Sequence, residues 1–130
     1  ISGWSSQMTK ILYVEDNPDN VYMLTRRLKK KGFELIIAGD GQEGIDKAIK
    51  ESPDLILMDL SLPTMDGWTA TAKIKEIEEV KDIPIIALSA HAMPEHRDRA
   101  LKAGCSDYDT KPVDIKRLLS KMGQYIELPK

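Results

Sequence analysis

Short runs of aliphatic residues recur along the chain, separated by longer segments with helical spacing. Four runs are almost entirely apolar and a fifth is weaker, and they cover residues 11–14, 35–38, 55–58, 85–88 and 106–109. A strand that alternates apolar and polar residues has one face in water, whereas a uniformly apolar strand is covered on both faces. The pattern therefore predicts five strands of a sheet that is buried on both sides.

A segment with helical spacing follows each run. In the first segment Asn17 suits a helix cap, Pro18 suits the first turn and Gly32 suits the end. The apolar stripes of the five segments are Val21, Leu24 and Leu28; Ile45, Ala48 and Ile49; Trp68, Ile74 and Ile77; Ala100 and Leu101; and Ile115, Leu118, Leu119 and Met122. Ser52, Pro53 and Gly104 mark further helix ends, and Pro94 and Asp114 mark further helix starts. Five strand–helix units predict an α/β domain whose parallel sheet carries helices on both faces.

Composition favours one soluble globular domain. The chain has 130 residues, of which 42% are hydrophobic and 31% are charged, and its net charge is −2. No apolar run approaches the roughly 20 residues that a membrane-spanning helix needs. The charge gives no overall attraction to nucleic acid, so we expect neither a membrane nor a nucleic acid as direct partner. Cys105 is the only cysteine, which fits a reducing, cytoplasmic location.

The first seven residues lack the pattern of the rest. Residues 1–7 carry Ser, Gly and Trp in no period, and they precede Met8. They lack the basic region followed by an apolar region that marks a secretory signal. We expect residues 1–7 to be an added or disordered tail and residues 8–130 to form the domain.

Polar side chains follow four of the predicted strands. Glu15 and Asp16 close the first strand, Asp59 closes the third, Ser89 closes the fourth and Lys111 follows the fifth. The carboxyl ends of parallel strands lie at one edge of a sheet, which is where open α/β sheets bind ligands. We therefore expect these five side chains to form one site.

The residue types in this predicted site suit phosphoryl chemistry. Three neighbouring carboxylates repel one another unless a cation compensates them, and oxygen ligands without His or Cys favour Mg²⁺ (or Mn²⁺). A hydroxyl and an ammonium group supply the donors and the positive charge that a phosphoryl group needs. Asp59, the middle carboxylate, is the predicted nucleophile, which would form an acyl phosphate.

Five short segments together resemble a known family. They are LYVEDN at 12–17, DLILMD at 54–59, LPTMDG at 62–67, SA at 89–90 and KP at 111–112. In order and spacing they resemble the receiver domain of two-component response regulators, over residues 10–126. The resemblance implies a flavodoxin-like, doubly wound sheet of five parallel strands in the order 2-1-3-4-5, with five helices in three α/β/α layers.

The resemblance also implies a role for each site residue. Asp59 would accept a phosphoryl group from a phosphohistidine on a histidine kinase or a histidine phosphotransfer protein. Asp16, Asp59 and the backbone carbonyl of Ser61 would ligate Mg²⁺ directly, and Glu15 would act largely through water. Lys111 would pair with the phosphoryl oxygens, and its bond to Pro112 would be cis.

The resemblance further implies a switch rather than an enzyme with a separate substrate. Ser89 would move to hydrogen-bond the phosphoryl group and Tyr108 would turn inward behind it. A downstream protein would then bind the face formed by the fourth helix, fifth strand and fifth helix. The candidates for exposed residues on this face are Arg97, Arg99, Lys102, Tyr108, Lys116 and Arg117. We expect a stand-alone regulator that begins at Met8.

Three residues depart from the usual pattern of the family. Glu15 is one methylene longer than the commoner Asp, which affects the water-mediated metal contact. Ser89 lacks the methyl group of the commoner Thr, so its rotamer is less restricted. Asp109 lies where an aliphatic residue is usual, so we expect the fifth strand to be short or partly wet.

Other functions fit the sequence less well. Residues 39–44 match the dinucleotide fingerprint G-x-G-x-x-G, but they follow the second strand rather than the first, so the glycines are better explained by a tight turn. A Mg²⁺-dependent phosphohydrolase would carry a second carboxylate two residues after Asp59, where Ser61 lies. An interaction module with an inactive acceptor site would lack part of the set Asp16, Asp59, Ser89 and Lys111. His91 and His96 do not share a helical face, and we expect ordinary surface roles for both.

Overall fold

The computed structural model describes residues 8–90 and 93–129. Strands and helices alternate as β1 (Lys10–Val14), α1 (Pro18–Lys30), β2 (Glu34–Ala38), α2 (Gly41–Glu51), β3 (Leu55–Asp59), α3 (Gly67–Lys75), β4 (Ile85–Ser89), α4 (Pro94–Ala103), β5 (Asp107–Thr110) and α5 (Ile115–Met122). Every predicted strand and helix is present, with strand ends that differ by at most one residue. The predicted tail at 1–7 and His91 lie outside the described residues.

The five strands form one parallel sheet in the order β2-β1-β3-β4-β5. This is the order that the family resemblance implies. Because β1 lies between β2 and β3, the chain reverses its direction across the sheet at β1. The loops that follow β1 and β3 therefore flank a crevice at the carboxyl edge.

Side chains of each strand alternate between two hydrophobic clusters. On one face Leu12 and Val14 pack with the buried residues of α2, α3 and α4. On the other face Ile11 and Tyr13 pack with those of α1 and α5. The central strands are uniformly apolar because each of their faces meets a helix layer, which confirms the three-layer arrangement.

Capping side chains fix where the helices begin. Asn17 Oδ1 accepts hydrogen bonds from the main-chain N–H groups of Asp19 and Asn20. Asp40, Asp66 and Asp114 cap α2, α3 and α5 in the same way. These contacts satisfy N–H groups that have no partner within the helix.

Ile77 lies outside the helix in which the sequence places it. The helix α3 ends at Lys75, and Ile77 packs from the following turn against the same hydrophobic cluster. Lys75 Nζ donates to the carbonyl oxygens of Lys81 and Ile83 at 2.9 and 2.7 Å, which ties this turn to the end of the helix. Apolar spacing alone does not distinguish the last turn of a helix from such a turn.

The glycine-rich segment at 39–44 starts a helix. The N–H of Gly39 donates to Glu43 Oε1 at 2.6 Å, and Asp40 caps the helix. A Cβ atom on Gly44 would lie 2.9 Å from Val14 Cγ2, so the glycine lets α2 pack closely on β1. These contacts explain the glycines without a nucleotide. Among the described residues, no helix has the length and apolar character to cross a membrane.

Gly67 places the start of α3 against the end of β3. Its N–H donates to the Leu60 carbonyl at 3.2 Å. A Cβ atom at this position would collide with the Asp59 carbonyl oxygen and would lie 2.8 Å from Leu60 Cα. Both contacts involve backbone, which cannot move aside as a flexible side chain can. A residue without a side chain is therefore needed beside Asp59.

We predict that Gly67→Ala lowers the free energy of unfolding by about 1–3 kcal/mol, because the added methyl group forces α3 away from β3. Urea denaturation measures this change. Gly39→Ala is the matched control, since its Cβ would meet Glu43 Oε1 at an ordinary 3.5 Å. Equal stability of the Gly67→Ala variant and the wild type would show that the close approach does not constrain the loop.

Candidate functional site

Three carboxylates meet at the carboxyl edge of the sheet. Glu15 and Asp16 directly follow β1, and Asp59 is the last residue of the neighbouring strand β3. One oxygen of each lies within 4.8 Å of the others. Glu15 and Asp59 are each only 2% exposed, whereas Asp16 is exposed. Two buried negative charges and one at the rim form a set of hard oxygen ligands that can hold a divalent cation.

Lys111 brings positive charge to the carboxylates. Its Nζ lies 3.0 Å from Glu15 Oε1 and 3.1 Å from Asp59 Oδ1. The Lys111–Pro112 bond is cis, as the resemblance implies, and the N–H of Lys111 donates to the Ser89 carbonyl at 2.7 Å. Desolvation alone would lower the pKa of Lys111, but the hydrogen bonds and charges of Glu15 and Asp59 together outweigh it and raise the pKa. Lys111 therefore remains an ammonium ion.

Glu15 is engaged by protein donors on both oxygens. Oε1 accepts from Lys111 Nζ, Tyr13 Oη and Asn20 Nδ2, and Oε2 accepts from the N–H of Asn17. Sequence reasoning missed Tyr13 and Asn20 as part of the site. The alternation along β1 could have indicated Tyr13, because residues 13 and 15 point to the same face.

Burial raises the pKa of Tyr13, and the charges of Glu15 and Asp59 raise it further. The phenol thus keeps its proton and acts as a hydrogen-bond donor.

Asp59 and Ser89 lie on adjacent strands. In the sheet Asp59 is opposite Leu88, so Ser89 lies one residue further along the neighbouring strand. Ser89 is 1% exposed. The N–H of Ser61 donates to Asp59 Oδ1 at 3.1 Å, which orients the carboxylate. The metal contact of the Ser61 carbonyl stays a prediction.

The expectation that Tyr108 is exposed is wrong. Its side chain is only 6% exposed and packs in the hydrophobic cluster that contains Ala87 and Ala100. Tyr108 points to the α4 side of β5, so the ring is covered although β5 is an edge strand. The other five residues named for this face are exposed: Arg97, Arg99, Lys102, Lys116 and Arg117.

Asp109, which departs from the pattern that the family resemblance implies, forms an ion pair with Arg117. The side chain is 3% exposed, and Oδ1 accepts from Arg117 Nε at 2.6 Å. Its Oδ2 atom is buried without a hydrogen-bond partner among the described residues. The strand β5 is short, with four residues, as expected, but α5 covers Asp109 through Arg117 instead of leaving it wet.

His96 packs on Trp68 and lies away from the carboxylates. The two rings stack with centroids 5.8 Å apart, and the Arg99 guanidinium lies 3.9 Å from the centroid of the Trp68 ring. These contacts join the start of α3 to α4. They give the half-buried His96 a packing role between α3 and α4, where the sequence suggests only an ordinary surface residue.

Known proteins are similar to this chain in sequence and in fold. Residues 11–123 match the family described as response regulator receiver domain. The polar-differentiation response regulator DivK of Brucella ovis is 37% identical over 120 residues, which cover 92% of this chain and 98% of DivK. The hybrid signal transduction histidine kinase G of Dictyostelium discoideum is 43% identical over 124 residues. That match covers 93% of this chain but only 4% of the kinase.

Two solved structures support the same comparison. The receiver domain of a sensor histidine kinase from Pseudomonas aeruginosa, solved with a magnesium ion in its active site cleft, superposes with a TM-score of 0.85 and 35% identity. It covers 92% of this chain and 98% of that domain. The chemotaxis protein CheY4 of Vibrio cholerae gives a TM-score of 0.87 and 28% identity, with 92% and 100% of the two chains covered.

We predict that Arg117→Met lowers the free energy of unfolding by about 1–2 kcal/mol, because it leaves the buried Asp109 carboxylate without its cation. The expected loss is moderate because the Arg117 side chain is 44% exposed and therefore partly screened by water. Chemical denaturation measures it.

Lys116→Met, an exposed neighbour on α5, is the control for the change in charge and helix propensity. The double variant Asp109→Val with Arg117→Met should recover stability, since an apolar pair replaces the orphaned charge. A double variant that is less stable than Arg117→Met alone would contradict this explanation.

Proposed function

The chain belongs to the family of response regulator receiver domains, and on that premise we propose that it is a phosphorylation-dependent switch in which Asp59 accepts the phosphoryl group. The observation that carries the proposal is the position of Asp59, buried between two further carboxylates and the Lys111 ammonium. Receiver domains belong to two-component signalling and not to the enzymes that turn over a separate substrate. We place the domain in the cytoplasm, where its phosphodonors act.

The phosphodonor is a phosphohistidine on a histidine kinase or a histidine phosphotransfer protein. An Asp59 carboxylate oxygen attacks phosphorus, so that an O–P bond forms as the N–P bond breaks. The imidazole leaves with the electron pair and gains a proton from water. Lys111, which already lies 3.1 Å from Asp59 Oδ1, then pairs with a phosphoryl oxygen.

Glu15, Asp16 and Asp59 fit a magnesium ion, because they supply only oxygen ligands and carry more negative charge than Lys111 neutralises. In this proposal Asp16, Asp59 and the Ser61 carbonyl are direct ligands, and Glu15 acts through water. Mn²⁺ suits the same ligands. When bound, the ion neutralises the carboxylates and the charge of the phosphoryl oxygens.

Ser89 and Tyr108 transmit the change to a partner-binding face. The Ser89 hydroxyl turns to the phosphoryl group, which alters the space beside α4. The Tyr108 ring on β5, which packs on the α4 side, changes its position in response. The face formed by α4, β5 and α5 has two arrangements whose populations shift on phosphorylation, and a downstream protein binds one of them. Its exposed residues are Arg97, Arg99, Lys102, Lys116 and Arg117.

We predict that a small acyl-phosphate donor with Mg²⁺ adds one phosphoryl group to the wild-type chain and none to Asp59→Asn. Intact-protein mass spectrometry measures the added phosphate. EDTA should abolish labelling, because the carboxylates then stay uncompensated. Asp46→Asn, which changes an exposed carboxylate on α2 that accepts a hydrogen bond from Gln42, is the control and should label. Labelling of Asp59→Asn at the wild-type rate would refute the acceptor assignment.

A second prediction concerns the partner-binding face. Beryllofluoride, which mimics the acyl phosphate, should shift the amide NMR signals of residues 90–108 well beyond the shifts caused by Mg²⁺ alone, because the switch changes α4 and β5 together. The Asp59→Asn variant with the same additions is the control. If Asp59 binds beryllofluoride and these signals stay in place, the partner-binding face lies elsewhere, and α1 becomes the better candidate.

A further inference from the structure

The buried carboxylate of Glu15 is held from three parts of the chain. Its Oε1 atom lies 3.0 Å from Lys111 Nζ, 3.2 Å from Tyr13 Oη and 3.4 Å from Asn20 Nδ2. These donors come from the loop after β5, from β1 and from α1. The remaining oxygen accepts the N–H of Asn17 at 3.3 Å. Glu15 is thus fixed before any ligand binds.

Tyr13 differs from the other donors because its ring is packed in the hydrophobic core. The side chain is 1% exposed and packs in the hydrophobic cluster with Leu24, Leu28 and Leu118. Only its hydroxyl reaches the polar edge of the sheet. An O–H group on a ring packed in this way keeps one position, whereas the long side chain of Lys111 can turn.

We propose that Tyr13 is a positioning residue of the phosphoacceptor site: its hydroxyl holds Glu15 and thereby sets how Lys111 is shared between Glu15 and Asp59. This inference rests on the proposed function of Asp59. It adds a residue to the site and gives a role to the longer carboxylate at position 15. An Asp at that position would end one methylene short of the Tyr13 hydroxyl.

The charges around Glu15 determine how loss of the Tyr13 hydroxyl would change the site. Lys111 lies 3.0 Å from Glu15 and 3.1 Å from Asp59, so the two carboxylates compete for one ammonium group. The Tyr13 hydroxyl supplies one of the hydrogen bonds that the Glu15 carboxylate accepts. It therefore weakens the interaction of Glu15 with Lys111. Without that hydroxyl, the Glu15 carboxylate attracts both the Lys111 ammonium group and a metal ion more strongly.

Tyr13→Phe tests the inference because it removes only the hydroxyl and keeps the packed ring. We expect the Mg²⁺ dissociation constant, measured by calorimetry with Mg²⁺ alone, to fall about threefold. The rate of labelling at saturating Mg²⁺ should also fall about threefold, because Lys111 turns less readily to the phosphoryl group. A general loss of structure would instead weaken metal binding and slow labelling together.

Two further variants keep the test independent of folding. Asn20→Ala removes another donor to the same oxygen from an exposed helix position. It should lower the Mg²⁺ dissociation constant and the labelling rate as well, by smaller factors. Tyr125→Phe removes a hydroxyl that donates to the Ser106 carbonyl rather than to Glu15, and it should change neither quantity.

The Glu15→Asp background tests whether Tyr13 acts through Glu15. There Tyr13→Phe should change both quantities by less than roughly 1.5-fold, because the shorter carboxylate no longer meets the hydroxyl. An undiminished effect in that background would overturn the inference. So would a Tyr13→Phe variant whose Mg²⁺ dissociation constant and labelling rate equal those of the wild type. If the wild-type chain itself neither binds Mg²⁺ nor labels, the proposed function falls as well.

Discussion

The mutual repulsion of three carboxylates at one edge of the sheet is the constraint on which the rest of the site depends. Glu15 and Asp59 are almost fully buried, and Asp16 lies beside them. Burial makes each charge costly, so the cluster persists only with nearby donors and cations. Lys111 compensates one charge within the protein, and Tyr13 supplies a neutral donor. The negative charge that remains makes the site suited to a divalent ion.

The order of the strands brings these groups together at one edge of the sheet. Parallel strands deliver their last residues to the same edge, and the position of β1 between β2 and β3 opens a crevice there. Gly67 lets α3 start directly against the Asp59 backbone. The Lys111 N–H bonds to the Ser89 carbonyl, so the cation is tied to the strand that carries the predicted switch hydroxyl. Asp59, Ser89 and Lys111 are thus linked through backbone contacts.

Much of this could be predicted from the sequence, because the signals are local. Uniformly apolar runs gave the strands, and Asn17 and Asp114 marked helix starts that the structure has. The features that escaped prediction depend on contacts between distant segments. In the sequence Tyr13 is one member of an apolar run, and nothing local indicates that its hydroxyl reaches Glu15. The burial of Tyr108 and the ion pair of Asp109 with Arg117 depend on which face of β5 each side chain occupies, which a four-residue strand does not reveal from its pattern.

In the proposed function, Asp59 carries the phosphoryl group as an acyl phosphate. Borohydride reduces an acyl phosphate to an alcohol, which converts a phosphorylated aspartate into homoserine, and tandem mass spectrometry then locates the modified residue. After incubation with a phosphorylated histidine phosphotransfer protein and Mg²⁺, we expect homoserine at position 59 alone, and none when the metal is chelated. Homoserine at another position, or phosphate held without any reducible aspartate, would contradict it.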